Sequence, residues 1–173
     1  MSRKTTRLTV SDFARLWGVA VRDIPAHISR LIVKQDFRYK NLSPPERDRI
    51  ILRVMQRIDS EDLSAAGRHG RQRWERGWSE NLEGFILRGF DVKELVPKFI
   101  RPNQPLRLFQ DYVWPFDPNF ELNWYRLFRL WLFRKYLARP RAVYEFGCGT
   151  AFNLVALAEI YPKKELHGLD WSR

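Results

Sequence analysis

Two glycines and two carboxylates near the end of the chain have residue types and spacing that suit ligand binding. Gly147 and Gly149 follow a short apolar segment, and because they lack side chains the backbone can turn sharply there and approach a ligand closely. Glu145 precedes the first glycine by two residues, and Asp170 ends the next apolar segment. A carboxylate in that place can accept hydrogen bonds from ribose hydroxyls.

The surrounding pattern predicts a β-α-β unit that would position these groups. Residues 142–146 and 165–169 have the composition of strands, and residues 151–161 form an apolar segment of helical length. Strands joined in this way are parallel and have a right-handed crossover. Both carboxylates and both glycines would then lie at the carboxyl edge of the strands, where the ligand is expected.

The spacing of the glycines distinguishes between cofactors. A dinucleotide fingerprint G-x-G-x-x-G would place its third glycine at Phe152, whose ring would obstruct the approach of a pyrophosphate. The short form Gly147-Cys148-Gly149-Thr150-Ala151, preceded by Glu145, resembles instead the class I S-adenosylmethionine-dependent methyltransferases. Residues 153–159 and 166–172 are similar to that family's next helix and second strand, so the resemblance covers about 30 residues.

The resemblance implies a role for each matching residue, with S-adenosylmethionine as the cofactor. Glu145 would help to hold the methionine part, and the backbone of Gly147, Cys148 and Gly149 would line the cofactor. Asp170 would bind the ribose, and Trp171 would flank the adenine. The alternative is a tight turn without a ligand, in which Asp170 only caps a loop.

The expected fold class is α/β, with a mainly helical region over residues 1–140 followed by an incomplete Rossmann-like domain over residues 141–173. A complete class I domain has seven strands, so we expect a truncated chain that is inactive alone or needs a complementing C-terminal polypeptide. An apolar central strand with an open edge is also an aggregation hazard unless it is covered.

The methyl acceptor is expected to be a small molecule or a glycan. Residues 73–81 resemble bacterial methyltransferases thought to act on sugars of surface polysaccharides. The proline-rich segment 101–119, with Asp111, Tyr112 and Trp114, is a candidate lid over the acceptor. The residues do not identify the catalytic base.

Composition limits the setting of the protein. The single cysteine, Cys148, excludes an internal disulfide and fits a reducing, cytoplasmic location. Cys148 could also be read as a nucleophile, but within a glycine turn a small filler is the favoured interpretation. The most apolar stretch, residues 120–137, contains four basic residues, so no membrane span is expected. The histidines lack metal-ligand spacing.

The region before residue 140 contains several helix signals. Ser11 is a candidate cap for a helix that ends at Gly18, and a second short helix is expected over residues 24–33. Ser43, Pro44 and Glu46 form a capping-box pattern before a helix that ends near Asp59. Further helices are expected over residues 67–88 and 120–137, and Trp74 and Trp78 are interpreted as core.

Nucleic-acid binding is the competing hypothesis. The formal net charge is +11, which favours non-specific attraction to nucleic acid. Residues 9–19 and the helix after them also have the outline of a helix-turn-helix, although Pro25 and His27 fall where a recognition helix would present polar readers. An RNA methyltransferase would satisfy both the charge and the glycine loop.

Overall fold

The computed structural model describes residues 5–60 and 68–171, which form two compact units. The first unit takes its described residues from 1–60 and 101–131, and the second from 61–100 and 132–173. This division differs from the boundary predicted near Pro140, because residues 68–100 cluster with the C-terminal segment rather than with the N-terminal region.

The described residues form a mixed α/β structure, as the sequence predicted. The helices are α1 (Val10–Trp17), α2 (Ala26–Lys34), α3 (Pro44–Asp59), α4 (Arg68–Leu87), α5 (Phe120–Tyr136) and α6 (Phe152–Ile160). The strands are β1 (Thr5–Arg7), β2 (Arg38–Asn41), β3 (Leu106–Leu108), β4 (Asp111–Pro115), β5 (Ala142–Phe146) and β6 (Glu165–Leu169). The predicted start of α4, Gly67, lies outside the described residues.

The cap of helix α1 lies two residues earlier than the sequence predicted. The cap is Thr9, whose amide donates to Asp12 Oδ2 at 2.9 Å while the Asp12 amide donates to Thr9 Oγ1 at 3.2 Å. The predicted cap, Ser11, has Ala14 three residues later, which cannot complete such a reciprocal pair. The helix ends at Gly18, as predicted, with φ of 66°.

A four-stranded antiparallel sheet, in the order β1-β2-β4-β3, lies in the first unit. The prediction of a mainly helical region before residue 141 missed this sheet. Strands β1 and β3 have three residues each, which is too short for a pattern of alternation, and β2 pairs with β4 far along the chain. The proline-rich segment 101–119 contains β3 and β4.

Aromatic side chains form the core of the first unit. Phe13 contacts Phe37 edge-to-face at 4.9 Å between ring centroids, and Phe37 contacts Phe120 in the same way at 5.1 Å. The indoles of Trp17 and Trp131 stack at 5.2 Å. These contacts fasten the first part of α5 to α1 and to Phe37, which precedes β2.

The capping box of α3 is confirmed. The Ser43 amide donates to Glu46 Oε2 at 2.8 Å, and the Ser43 hydroxyl contacts the same oxygen at 2.6 Å. The helix ends at Asp59, as predicted. Most of its apolar side chains are nevertheless exposed (Ile51, Leu52, Val54, Met55 and Ile58), and none of its residues is buried by the described part of the chain.

The second unit contains α4, a 3₁₀ turn (Val92–Leu95) and the segment β5-α6-β6. β5 and β6 begin and end at the predicted residues and are parallel, in register from Ala142 opposite Glu165 to Phe146 opposite Leu169. Among the helices of the described residues, none is long and apolar enough to cross a membrane.

Candidate ligand-binding site

The segment between β5 and α6 is a bend with three residues in the left-handed region. Gly147 has φ of 74°, Gly149 has φ of 51°, and Ala151 has φ of 58°. A Cβ is disfavoured in this conformation, which explains the two glycines, whereas Ala151 adopts it with a Cβ present. The bend ends β5 at Phe146 and starts α6 at Phe152, so it lies at the carboxyl end of the strand.

The backbone amides of the bend donate to the end of β6. Gly147 and Cys148 both donate to the Leu169 carbonyl, at 2.7 and 3.3 Å. The Gly149 amide donates to Asp170 Oδ2 at 2.7 Å. The structure therefore brings Asp170 to the glycine bend, as the sequence predicted, and it commits these three amides to groups of the protein.

Glu145 lies beside the first turn of α6. Its Oε1 accepts a hydrogen bond from Asn153 Nδ2 at 2.7 Å. Its Oε2 is buried and has no hydrogen-bond partner among the described residues. A buried carboxylate oxygen without a donor is unfavourable, so this atom is a candidate acceptor for a ligand. Sequence reasoning missed Asn153, whose type alone gives no signal.

Cys148 is placed as a filler. An added Cβ on Gly168 would lie 2.8 Å from Cys148 Sγ and 2.8 Å from Leu154 Cδ1, so the thiol packs closely against β6. Burial raises the pKa of the Cys148 thiol, and the negative charges of Asp170 and Glu145 raise it further. The thiolate is therefore disfavoured, which argues against a nucleophilic cysteine.

Helix α4 contributes groups that sequence reasoning did not assign to the site. An added Cβ on Gly149 would lie 2.9 Å from Trp78 Cζ2, so the indole lies against the bend. Thr150 Oγ1 donates to the Leu95 carbonyl at 2.6 Å, and the Arg71 guanidinium lies 5.4 Å from the ring centroid of Trp171. The resemblance of residues 73–81 to methyltransferases did not place them against the bend, because these contacts depend on tertiary folding.

The sequence predicts that the indoles of Trp74 and Trp78 belong to the core, and the structure corrects this. Their ring centroids are 5.5 Å apart, as their helical spacing predicts. Trp78 is only half-buried and packs on the bend, while Trp74 is 48% exposed. The pair therefore lines a surface instead of filling an interior.

The candidate acceptor lid and the candidate helix-turn-helix both lie in the first unit. Within residues 101–119, residues 106–115 form the β3–β4 hairpin, with Phe109 and Gln110 in the left-handed region at its turn. An acceptor lid in this segment remains a prediction. α1 and α2 are separated by residues 18–25, which include a 3₁₀ turn. That connection is longer than the short turn of a helix-turn-helix. Among the described residues, no group of His, Cys, Asp and Glu could hold a metal.

Comparisons with protein-family models, with curated proteins and with solved structures found no match to this chain.

Proposed function

We propose that the β5-α6-β6 segment binds S-adenosylmethionine and that the chain serves methyl transfer to a small-molecule or glycan acceptor. The observation that carries the proposal is the hydrogen bond between the Gly149 amide and Asp170 Oδ2, 2.7 Å long. It fixes a carboxylate beside a bend that contains two glycines, at the carboxyl ends of two parallel strands. Ligands of open parallel sheets bind at that edge.

The charge of the site supports a cationic ligand. Two carboxylates, Glu145 and Asp170, border the bend, and their charges both oppose ionisation of Cys148. The amides of Gly147, Cys148 and Gly149 are committed to Leu169 and Asp170. A pyrophosphate needs free amide donors and positive potential, whereas S-adenosylmethionine offers an ammonium group, a sulfonium group and ribose hydroxyls. Two carboxylates and three amides that already have protein acceptors therefore fit S-adenosylmethionine better than a dinucleotide.

Each residue has a defined part in this proposal. Asp170 accepts hydrogen bonds from the ribose hydroxyls, because a carboxylate has several acceptor sites. The buried Oε2 of Glu145 accepts from the amino group of the methionine part. Trp171, half-exposed next to Asp170, flanks the adenine. When bound, the cofactor supplies an electrophilic methyl group, and the bend and side chains hold it in place and exclude water.

Calorimetric titration with S-adenosylmethionine tests the proposal directly. We expect the unaltered chain to bind and Asp170→Asn to bind at least about tenfold more weakly, since a hydrogen bond to a charged group contributes roughly 1.5–3 kcal/mol. Asparagine keeps an acceptor for the Gly149 amide, so the bend should persist. Glu159→Gln is the matched control, because Glu159 is an exposed carboxylate on α6. Lack of binding by the unaltered chain, or equal affinity in Asp170→Asn, would contradict the proposal.

A further inference from the structure

Helix α4 is held next to the glycine bend by a shared turn. Asn81, which is 1% exposed, donates from Nδ2 to the carbonyls of Glu94 and Val96. The carbonyl between them, on Leu95, accepts from the Thr150 hydroxyl. The turn is therefore bonded to α4 on one side and to the bend on the other, which fixes the helix relative to the site.

One side of α4 lies along the carboxyl ends of both strands. Trp78 contacts the bend after β5, where its Cζ2, Cε2 and Cη2 atoms lie 2.9–3.2 Å from a Cβ placed on Gly149. Arg71, two helical turns earlier, lies over Trp171 after β6. By contrast, no atom of the described residues outside its chain neighbours lies within 4 Å of a Cβ placed on Gly147. The bend is thus covered by an indole at Gly149 and open at Gly147.

We propose that Trp78 is a cofactor-binding residue that distinguishes the positively charged methyl donor from its neutral product. This inference rests on the proposed function and adds Trp78 to the residues that line that same site. An indole face attracts a cation within about 6 Å more strongly than any other side-chain ring does. The sulfonium of S-adenosylmethionine is a cation, whereas the thioether sulfur of S-adenosylhomocysteine is neutral. Trp78 therefore favours binding of the donor and release of the product.

The test compares the affinities of both ligands in variants of Trp78. Trp78→Leu keeps an apolar side chain but removes the aromatic face, whereas Trp78→Phe keeps an aromatic face. We expect Trp78→Leu to weaken donor binding about 3- to 30-fold more than product binding, the range of a partly desolvated cation–π contact. Trp78→Phe should recover part of that preference. Thermal melts followed by circular dichroism establish that each variant is folded.

Phe85→Leu is the matched control, because Phe85 is a half-buried aromatic residue of the same helix that packs on Phe90, with ring centroids 5.3 Å apart. It should leave the ratio of the two affinities unchanged. Equal losses of donor and product affinity in Trp78→Leu would mean that the indole only supports the bend, and would overturn the inference while the proposed function stands. If the unaltered chain binds neither ligand, the proposed function and this inference both fail.

Discussion

The glycines of the bend are needed for different reasons, although both have positive φ. At Gly147, with φ of 74°, an added methyl group would meet open space, so only the backbone conformation disfavours a side chain. At Gly149, with φ of 51°, the same methyl group would also overlap the Trp78 indole. The sequence shows two equivalent glycines, and the structure separates them.

This difference predicts unequal effects of the same substitution. Both Gly147→Ala and Gly149→Ala should lose about 1–2 kcal/mol of unfolding free energy from left-handed backbone strain. Gly149→Ala should lose about 1–3 kcal/mol more, because Trp78 must shift to relieve the overlap. Urea denaturation measures both values. Equal losses in the two variants would contradict the observed contact between Trp78 and the bend.

At the scale of elements, local signals were predicted well and pairings between distant segments were not. The capping box at Ser43 and Glu46 and the glycine stop at Gly18 act within a few residues, and both are present. The sheet β1-β2-β4-β3 depends on pairing across the chain, such as Tyr39 with Pro115. Short strands of this kind have no periodicity of their own, so sequence reasoning could not find them.

In helix α3 the contribution of the Ser43–Glu46 capping box can be measured with little contribution from tertiary packing. The helix buries none of its residues within the described structure, so its stability depends strongly on local bonds. Glu46→Ala removes the acceptor of the Ser43 amide and should destabilise the helix by about 1 kcal/mol. Hydrogen exchange of the α3 amides should then accelerate about fivefold, as that free energy implies.

The matched control for this prediction is Glu83→Ala, because Glu83 is exposed in the interior of α4 and alanine is a better helix former. Amide exchange in α3 should be the same in that variant as in the unaltered chain. Unchanged exchange of α3 in Glu46→Ala would show that the capping box does not stabilise the helix.

At the scale of the whole molecule, the net charge and the charge of the candidate site have opposite signs. The chain carries +11, yet two carboxylates border the glycine bend. The positive charge therefore does not come from the two carboxylates of the proposed site, and it is no evidence for an anionic ligand there. The positive charge is relevant instead to the nucleic-acid hypothesis. The connection between α1 and α2 is longer than a helix-turn-helix requires, so the structure weakens that hypothesis.

We therefore expect only non-specific binding to duplex DNA, with a dissociation constant of about 10⁻⁴–10⁻⁶ M at physiological salt. Fluorescence anisotropy over a range of salt concentrations should show a steep, linear fall of log affinity with log salt. Asp170→Asn should not weaken this binding. Affinity that depends on DNA sequence and persists at high salt would favour the competing hypothesis instead.

The sequence by itself determined the β-α-β segment and the residues that its bend brings together. The strands β5 and β6, the left-handed bend and the place of Asp170 follow from residue types whose effects act over a few positions or through one crossover. Two features were decided only by tertiary structure: the division of the chain into units, and the approach of Trp78, Arg71 and Leu95 to the bend. The physical reason is that such packing depends on which surfaces meet after the helices have formed, and residue spacing does not encode that meeting.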